Sequence, residues 1–317
     1  MTQDAKKPPL PPHVGLMLGV FAVSTASIFI KFAQQQGVDS IVIAAFRLGI
    51  ATIVISPIVV IKYRNELLRL SFREIGISLL SGAFLAVHFA AWIKSLEFTT
   101  VASSVVLVTT TPLWVGIFSP VILRERVSQS VKVGLLIALA GTLTIGISDV
   151  CVIDSQLSCP SLQQLFAGQA FWGDALAILG AWTAAGYVMI GRRIRANLSL
   201  IPYIFLVYGM AAVVLIIMMR ASGAKAIGFS DPVLIWLVLL ALIPQLIGHS
   251  SFNWALGYLP AAYVAITLLG EPIGSTVLAY FFLGEIPGMV KVIGAFLIFG
   301  GILLASRNTS SDEQNNG

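Results

Sequence analysis

The chain has 317 residues, of which 57% are hydrophobic and 10% are charged, and its mean hydropathy is +0.94. Soluble domains carry about 25% charged residues, so this composition excludes an ordinary water-soluble protein and indicates an integral membrane protein. The formal net charge is +5. The basic residues fall in short segments between apolar runs, which favours a role in membrane orientation over nucleic-acid binding.

Apolar runs of about 20 residues, the length that a helix needs to cross a bilayer, recur along the whole chain. The first run follows a proline-rich start without a small-residue cleavage site, so we predict a retained span and not a signal peptide. The predicted fold class is all-α and integral to the membrane. The ten predicted transmembrane helices are 13–33, 41–62, 75–97, 100–123, 132–149, 171–191, 201–220, 232–257, 260–283 and 288–306.

An internal repeat relates the two halves at a constant offset of 160 residues. Five spans per unit is an odd number, so the second unit must lie upside down relative to the first. We therefore predict two inverted five-helix repeats, 13–149 and 171–306. An outer loop at 150–170 joins them, and cytoplasmic tails at 1–12 and 307–317 flank them, the second of these disordered. Matching pairs include Leu96 and Leu256, Pro112 and Pro272, Glu125 and Glu285, Gly134 and Gly294, and Gly141 and Gly301.

The distribution of basic residues predicts the orientation of this arrangement. With the N-terminus inside, thirteen Lys and Arg residues fall on the cytoplasmic side and five on the outer side, and Arg47 lies within a span. Such a bias predicts both termini in the cytoplasm. We expect a multi-pass protein of the bacterial inner membrane.

The loop between the halves holds both cysteines, Cys151 and Cys159. If this loop faces an oxidising compartment, the two thiols could form a disulfide, and two unpaired thiols are the alternative. No residue pattern predicts a metal site or a cofactor.

Glu271 is the first charged residue after a long stretch, 232–270, that holds no Asp, Glu, Lys or Arg. It lies eleven residues past Pro260, about 16 Å into its span and close to the bilayer midplane. A carboxylate at that depth is a functional candidate, able to bind a proton, a cation or a substrate amine. The alternative is a hydrogen bond to backbone groups freed beside Pro272, and both can hold at once. Thr111 occupies the equivalent position in the first half.

Two pairs of polar and aromatic residues stand at helical spacing, His88 with Trp92 and His249 with Asn253. Residues four apart share one helix face. The inverted arrangement predicts that the pairs line opposite vestibules of one central cavity. Hydrogen bonding that holds neighbouring spans together is the alternative for each pair.

Arg47 lies about 9 Å inside the second predicted span, which is deep for a side chain to reach the interface. It could meet a substrate carboxylate or neutralise a buried acid. We favour the structural role.

The residues also show the pattern of a known family. In the first half, Thr111-Pro112 begins a segment that ends at Glu125, and in the second half Glu271-Pro272 begins one that ends at Glu285. A glycine follows each segment, and the sixth span begins with WGDALAILGAW. In these motifs, over residues 13–306, the chain resembles the EamA-type branch of the drug/metabolite transporter superfamily. The resemblance implies a ten-helix inverted-repeat carrier that moves small metabolites, often outward, by alternating access. It also implies that Arg47 is the arginine common in the family's second span, and that Glu125 and Glu285 are its acids after spans four and nine. The first span departs from the pattern, with AVSTAS where many relatives have a Trp-Gly pair.

The leading hypothesis is a secondary active transporter, and not an enzyme, that exports amino acids or similar small metabolites, with proton coupling open. The expected partners are a small-molecule solute and the lipid bilayer, and no nucleic acid. Whether the protein forms a homodimer is left open. A membrane sensor or scaffold without transport is the alternative. An intramembrane hydrolase using Ser250 or Ser251 beside His249 is disfavoured, because adjacent helix residues do not face each other. The predicted substrate- and ion-binding residues are Glu271, His88, Trp92, His249, Asn253, Thr111 and Arg47.

Overall fold

The structure, a computed structural model, describes residues 10–98, 104, 107–150, 152–153, 157–158, 169–283 and 288–306. Within these residues the helices are joined by turns and short loops, and the strands form one antiparallel hairpin, β1 (Val152–Ile153) and β2 (Leu157–Ser158). Cys151 and Cys159 lie outside the described residues, and so does the disulfide predicted between them.

The first half forms a series of helices interrupted at two points. Thr25 separates the first two helices and bonds through its Oγ1 to the carbonyl of Ala22 at 2.7 Å. A π-helical turn, Val59–Tyr63, follows Pro57, whose ring nitrogen has no hydrogen to donate to the helix ladder. The helices are α1 (Pro12–Ser24), α2 (Ala26–Gln35), α3 (Ser40–Ile58), α4 (Arg64–Leu68), α5 (Phe72–Phe98), α6 (Thr111–Ile122) and α7 (Gln129–Val150).

The second half has two interruptions of its own. A π-helical segment, Ala241–His249, contains Pro244 and separates α10 from α11, and a 3₁₀ turn, Leu268–Gly270, separates α12 from α13. Within these two spans the regular helix ladder is therefore broken. The helices are α8 (Gln169–Arg195), α9 (Leu200–Ala221), α10 (Asp231–Leu240), α11 (Ser250–Ala255), α12 (Ala261–Thr267), α13 (Glu271–Leu283) and α14 (Met289–Ser306).

Seven helical segments within the described residues are long and apolar enough to cross a membrane, so the chain is a multi-pass membrane protein. The other three predicted spans overlap in part with apolar helices too short to count among these seven, at Thr111–Ile122, Gln129–Thr144 and Val292–Ala305. The seven long segments are Pro12–Gln35, Ser40–Leu68, Phe72–Phe98, Phe171–Arg195, Leu200–Ala221, Asp231–Ala255 and Ala261–Phe282.

The helices pack as a bundle that mixes the two halves. α5 packs along α8, and α9 packs against both α3 and α5. α1 packs against the π-helical segment and α11. Large apolar side chains such as Phe21, Ile53 and Phe281 remain exposed on the outside, as a surface in contact with lipid requires. The polar residues predicted for the site therefore have a protein interior to face.

Glycines bring α7 and α14 into close backbone contact. A Cβ on Gly134 or on Gly301 would lie 2.5 Å from the carbonyl oxygen of the other, and a Cβ on Gly141 would lie 2.6 Å from that of Gly294. Gly134 precedes Gly141 while Gly301 follows Gly294, so the two helices run antiparallel. Small residues are needed here because helices in lipid associate mainly through close packing.

The α7–α14 contact gives a stability test. Gly301→Ala places a methyl group against the backbone of α7, and overpacking of this kind should lower stability by about 1–3 kcal/mol. Thermal unfolding of purified protein in detergent measures the loss. Gly300→Ala is the matched control, because a Cβ at Gly300 meets no atom within 4 Å. Equal unfolding temperatures for the two variants would contradict the close contact.

Candidate functional site

A cavity of about 70 Å³ lies between the helices of the two halves. One water molecule needs roughly 10–15 Å³ of such space, so the cavity has room for several waters or a small polar group. Residues from α3, α5, α6, α11 and α13 and from the π-helical segment meet on its wall. Every residue predicted for the site lies there, namely Glu271, His88, Trp92, His249, Asn253, Thr111 and Arg47.

Glu271 stands at the break between the 3₁₀ turn and α13. It is the first residue of α13, and Pro272 follows it with a backbone angle suited to a helix start. The positive end of the helix dipole favours a carboxylate at this position. Among the hydrogen bonds of the described residues, none involves the Glu271 carboxylate, so the backbone-capping alternative is not what the structure shows. Its main-chain oxygen accepts a hydrogen bond from Ser24 Oγ at 3.3 Å.

Thr111 marks the equivalent break in the first half. It is the first residue of α6 and is followed by Pro112. Its hydroxyl donates to the carbonyl of Val108 at 2.8 Å and lies 3.4 Å from that of Ala181 on α8. Both halves thus begin a helix at the same repeat position on the cavity wall, and one of the two carries a charge.

Arg47 on α3 is 1% exposed, and the side chain that accepts a hydrogen bond from it is neutral. Its Nε donates to Gln245 Oε1 at 2.8 Å, and its guanidinium lies 4.2 Å from the ring centre of Phe89, a cation–π distance. No carboxylate oxygen of the described residues lies within 4.0 Å of it. The direct neutralisation of a buried acid that we expected is therefore absent, and Glu271 acts on Arg47 only through longer-range attraction.

The two histidines line one shared cavity. His88 Nδ1 lies 3.0 Å from the carbonyl oxygen of Gly180, so it carries the hydrogen, and its ring stacks on Trp92 with centroids 6.0 Å apart. The Phe89 ring lies 4.8 Å from His88 and 5.1 Å from His249, between the two. This aromatic ring joins the surfaces that we expected to be opposite vestibules.

Asn253 on α11 links three neighbouring groups. Its side-chain amide donates to the hydroxyl of Tyr187, to the hydroxyl of Tyr208 at 3.4 Å, and to the carbonyl of His249 at 2.9 Å. Ser250 Oγ lies 3.1 Å from Tyr208 Oη and 3.4 Å from the Gln245 carbonyl. Ser250 is thus bonded to groups other than His249, and the described residues show no serine–histidine pair of the kind a hydrolase would need.

Sequence reasoning missed Gln245 as a neighbour of the site. It is fully buried and follows Pro244 in the π-helical segment. A polar side chain within an uncharged stretch was the available signal, but its contact with Arg47 joins residues 198 positions apart. Helical spacing within one span cannot show such a contact.

Several buried polar atoms around the cavity have no hydrogen-bond partner in the part of the chain that the structure describes. Leaving a buried donor or acceptor unpaired costs roughly 1–3 kcal/mol, so native proteins contain few of them. Their concentration here indicates a site that is completed by water or by a ligand. They are Arg47 Nη1, Trp92 Nε1, Gln245 Nε2, His249 Nδ1 and Asn253 Oδ1.

Comparison with known proteins matches the chain to a family of transporters. The sequence pattern of the EamA-like transporter family matches residues 11–147 and again 171–307. An uncharacterized transporter of Bacillus subtilis, YdfC, is 22% identical over 90% of this chain and 87% of its own length. An uncharacterized transporter of Archaeoglobus fulgidus is 20% identical over 93% of this chain and 96% of its own. A solved crystal structure has the same fold, with a TM-score of 0.73 and 17% identity over 95% of this chain and 98% of that one.

The Asn253 network gives a second stability test. Asn253→Leu keeps a similar volume but leaves the Tyr187 and Tyr208 hydroxyls without their shared donor, so the protein should lose roughly 1–3 kcal/mol of stability. Thermal unfolding in detergent measures the loss. Asn197→Leu, at an exposed turn, is the control and should unfold close to the wild type. Unfolding of both variants at the wild-type temperature would show that the network contributes nothing.

Proposed function

Because the chain belongs to the EamA-like transporter family, we propose that it is a secondary transporter that moves a small solute across the cell membrane by alternating access. The observation that carries this proposal is the cavity between the halves, whose mainly apolar wall includes the charged side chains of Glu271 and Arg47. Charged groups within a membrane protein's spans mark the paths of solutes and ions, because burying them there is costly.

Alternating access by this plan needs ten crossings in two inverted repeats, with boundaries near 13–149 and 171–306. The glycine contacts support it. Gly134 and Gly294 are repeat equivalents, as are Gly141 and Gly301, yet Gly134 meets Gly301 and Gly141 meets Gly294. Equivalent helices that pack antiparallel in this crossed manner are what two units related by a two-fold axis in the membrane plane would give.

The orientation with both termini in the cytoplasm rests on the distribution of basic residues, and contacts between helix ends agree with the way that it groups those ends by membrane face. On the side predicted to be cytoplasmic, the Ser199 N–H donates to Glu66 Oε1 at 2.9 Å. On the side predicted to be outer, Gln34 Nε2 donates to Ser40 Oγ at 3.0 Å. Each pair joins ends that the charge distribution assigns to the same membrane face.

An ion pair closes the proposed cytoplasmic end of the cavity. Glu125 Oε1 lies 2.5 Å from Arg192 Nε, and Glu125 Oε2 accepts the Ala261 N–H at 3.1 Å. Arg192 Nη1 donates at 2.9 Å to the carbonyl of Leu256, a residue of the cavity wall. The repeat equivalent of Arg192 is Phe32, so the opposite end cannot form the same pair. We take this latch, Glu125 with Arg192, as the contact that breaks when the cytoplasmic side opens.

The cavity wall favours an amphiphilic solute such as an amino acid. Glu271 can pair with an amine, Arg47 carries positive charge, and Trp92 and Phe252 supply apolar surface. At about 70 Å³ the cavity is smaller than such a solute requires, so loading must separate helices around it. Export and coupling to protons through Glu271 are parts of the same proposal.

Solute counterflow in proteoliposomes tests the proposal and the role of Glu271. We expect the wild type to exchange an amphiphilic amino acid at a rate that varies with pH, and Glu271→Gln to lose that pH dependence because it cannot take up a proton. Glu97→Gln is the control, since Glu97 belongs to an exposed pair with Lys94. An unchanged pH profile in Glu271→Gln would end the coupling proposal. Absence of counterflow with a broad solute panel would favour a sensor or scaffold.

The latch gives a separate test. Glu125→Gln removes the charge from a partly buried pair, and a loss of about 1 kcal/mol should raise opening of the cytoplasmic side about fivefold. The rate at which a thiol reagent labels Leu256→Cys from that side measures opening, with Cys151 and Cys159 replaced by serine. Glu97→Gln again serves as control. Equal labelling rates with and without Glu125→Gln would contradict the latch.

A further inference from the structure

Arg47 and Gln245 are bonded to each other, and each has a buried hydrogen-bond donor left over. Arg47 Nη1 and Gln245 Nε2 are both enclosed and have no hydrogen-bond partner among the described residues. The two side chains are 1% and 0% exposed. The hydrogen bond from Arg47 Nε to Gln245 Oε1, at 2.8 Å, holds them together.

The chemistry of the two side chains fixes which atoms remain free. Arginine has five N–H donors and no acceptor, so the oxygen of the Gln245 amide must face Arg47 and its NH₂ group must point elsewhere. The amide cannot flip without placing donor against donor. Arg47 Nη1 and Gln245 Nε2 therefore remain as donors without a partner among the described residues.

The backbone around Gln245 is held in place as well. Its carbonyl lies 3.5 Å from the Tyr208 hydroxyl and 3.4 Å from Ser250 Oγ. The π-helical segment Ala241–His249 shifts the register of this span, which carries Gln245 toward α3 and His249 toward the cavity. The Phe89 ring lies against one face of the guanidinium, whose edge bonds to Gln245. Arg47 is thus oriented from two sides.

We propose that Gln245 is a positioning residue that holds Arg47 as a clamp for a single carboxylate group of the transported solute. This inference rests on the transport function proposed above and names the chemistry that its site selects. A carboxylate in the cavity would accept from the Arg47 guanidinium and would neutralise a buried cation whose bonded partner is neutral, an otherwise costly arrangement.

The remaining wall of the cavity limits the anion to one charge. Arg47 is the sole Lys or Arg among the described residues that line the cavity, and Glu271 on the same wall repels a second negative charge. A phosphate ester, with close to two charges at neutral pH, would lack a second cation. Phe252 and Trp92 suit an apolar body attached to the carboxylate. The clamp therefore fits an organic monocarboxylate.

A pair of matched probes tests the clamp without transport. Phenylacetate carries a carboxylate on an aromatic body, and phenylacetamide is its neutral counterpart. Calorimetric titration of the purified full chain in detergent should show tighter binding of phenylacetate than of phenylacetamide. In Gln245→Met the affinity for phenylacetate should fall about tenfold or more, the loss expected when a hydrogen bond to a charged group is removed, while that for phenylacetamide should stay within about twofold.

Two further variants complete the design. Gln245→Glu keeps the shape of the side chain and places a carboxylate against Arg47, so it should abolish the preference for phenylacetate even if Gln245→Met folds poorly. Gln36→Met makes the same apolar change at an exposed glutamine and should leave both affinities unchanged. Phenyl phosphate should bind more weakly than phenylacetate in the wild type.

The outcomes separate the clamp from the transport proposal. Equal losses for both probes in Gln245→Met and Gln245→Glu, an unchanged preference, tighter binding of phenyl phosphate, or no binding of either probe by the wild type would each overturn the clamp. If the preference behaves as predicted but proteoliposomes exchange no solute, the clamp stands and the transport function fails. If solutes exchange but the preference for phenylacetate does not depend on Gln245, the transport function stands and the clamp fails.

Discussion

The cost of placing charge inside a bilayer is the constraint on which this structure depends. Arg47 and Glu271 lie within apolar spans, and each would be expensive to expose to lipid. Both are turned inward to one cavity, and the helices around it are arranged accordingly. Close packing through glycines between α7 and α14, and large apolar side chains on the outside, leave this interior as the place where polar groups gather.

Helix interruptions follow from the same constraint. The 3₁₀ turn before Glu271, the start of α6 at Thr111 and the π-helical segment around Gln245 all contain or precede a proline. Irregular backbone is tolerated at membrane depth where it is buried in protein or borders a cavity. Each of these interruptions borders the same cavity. The breaks turn polar side chains toward the cavity, and the backbone there is shielded from lipid. A straight helix at any of these positions would point different side chains inward.

The sequence predicted much of this because intramembrane polar residues have few places to go. Glu271, Arg47 and the residues spaced four apart, His88 with Trp92 and His249 with Asn253, had to face protein, and all six lie on the cavity wall. The constant repeat offset predicted equivalent positions, and Thr111 begins a helix where Glu271 does. Gln245 was not predicted, because it contacts Arg47 from a π-helical segment, where the register of the helix is shifted. Regular helical spacing does not indicate such a shift. The two histidine pairs do line one cavity, as predicted, and the Phe89 ring lies between His88 and His249, a contact that spacing within one span does not indicate.

Distance measurement by pulsed electron resonance tests the central claim of alternating access most directly. Spin labels at Arg193→Cys on α8 and at Tyr258→Cys, both exposed positions, would flank the Glu125–Arg192 latch in liposomes, with Cys151 and Cys159 replaced by serine. Alternating access predicts two separate distance populations, one for the closed cytoplasmic end and a longer one for the open end, whose ratio changes when solute is added. A single distance that stays the same with every solute tested would contradict it.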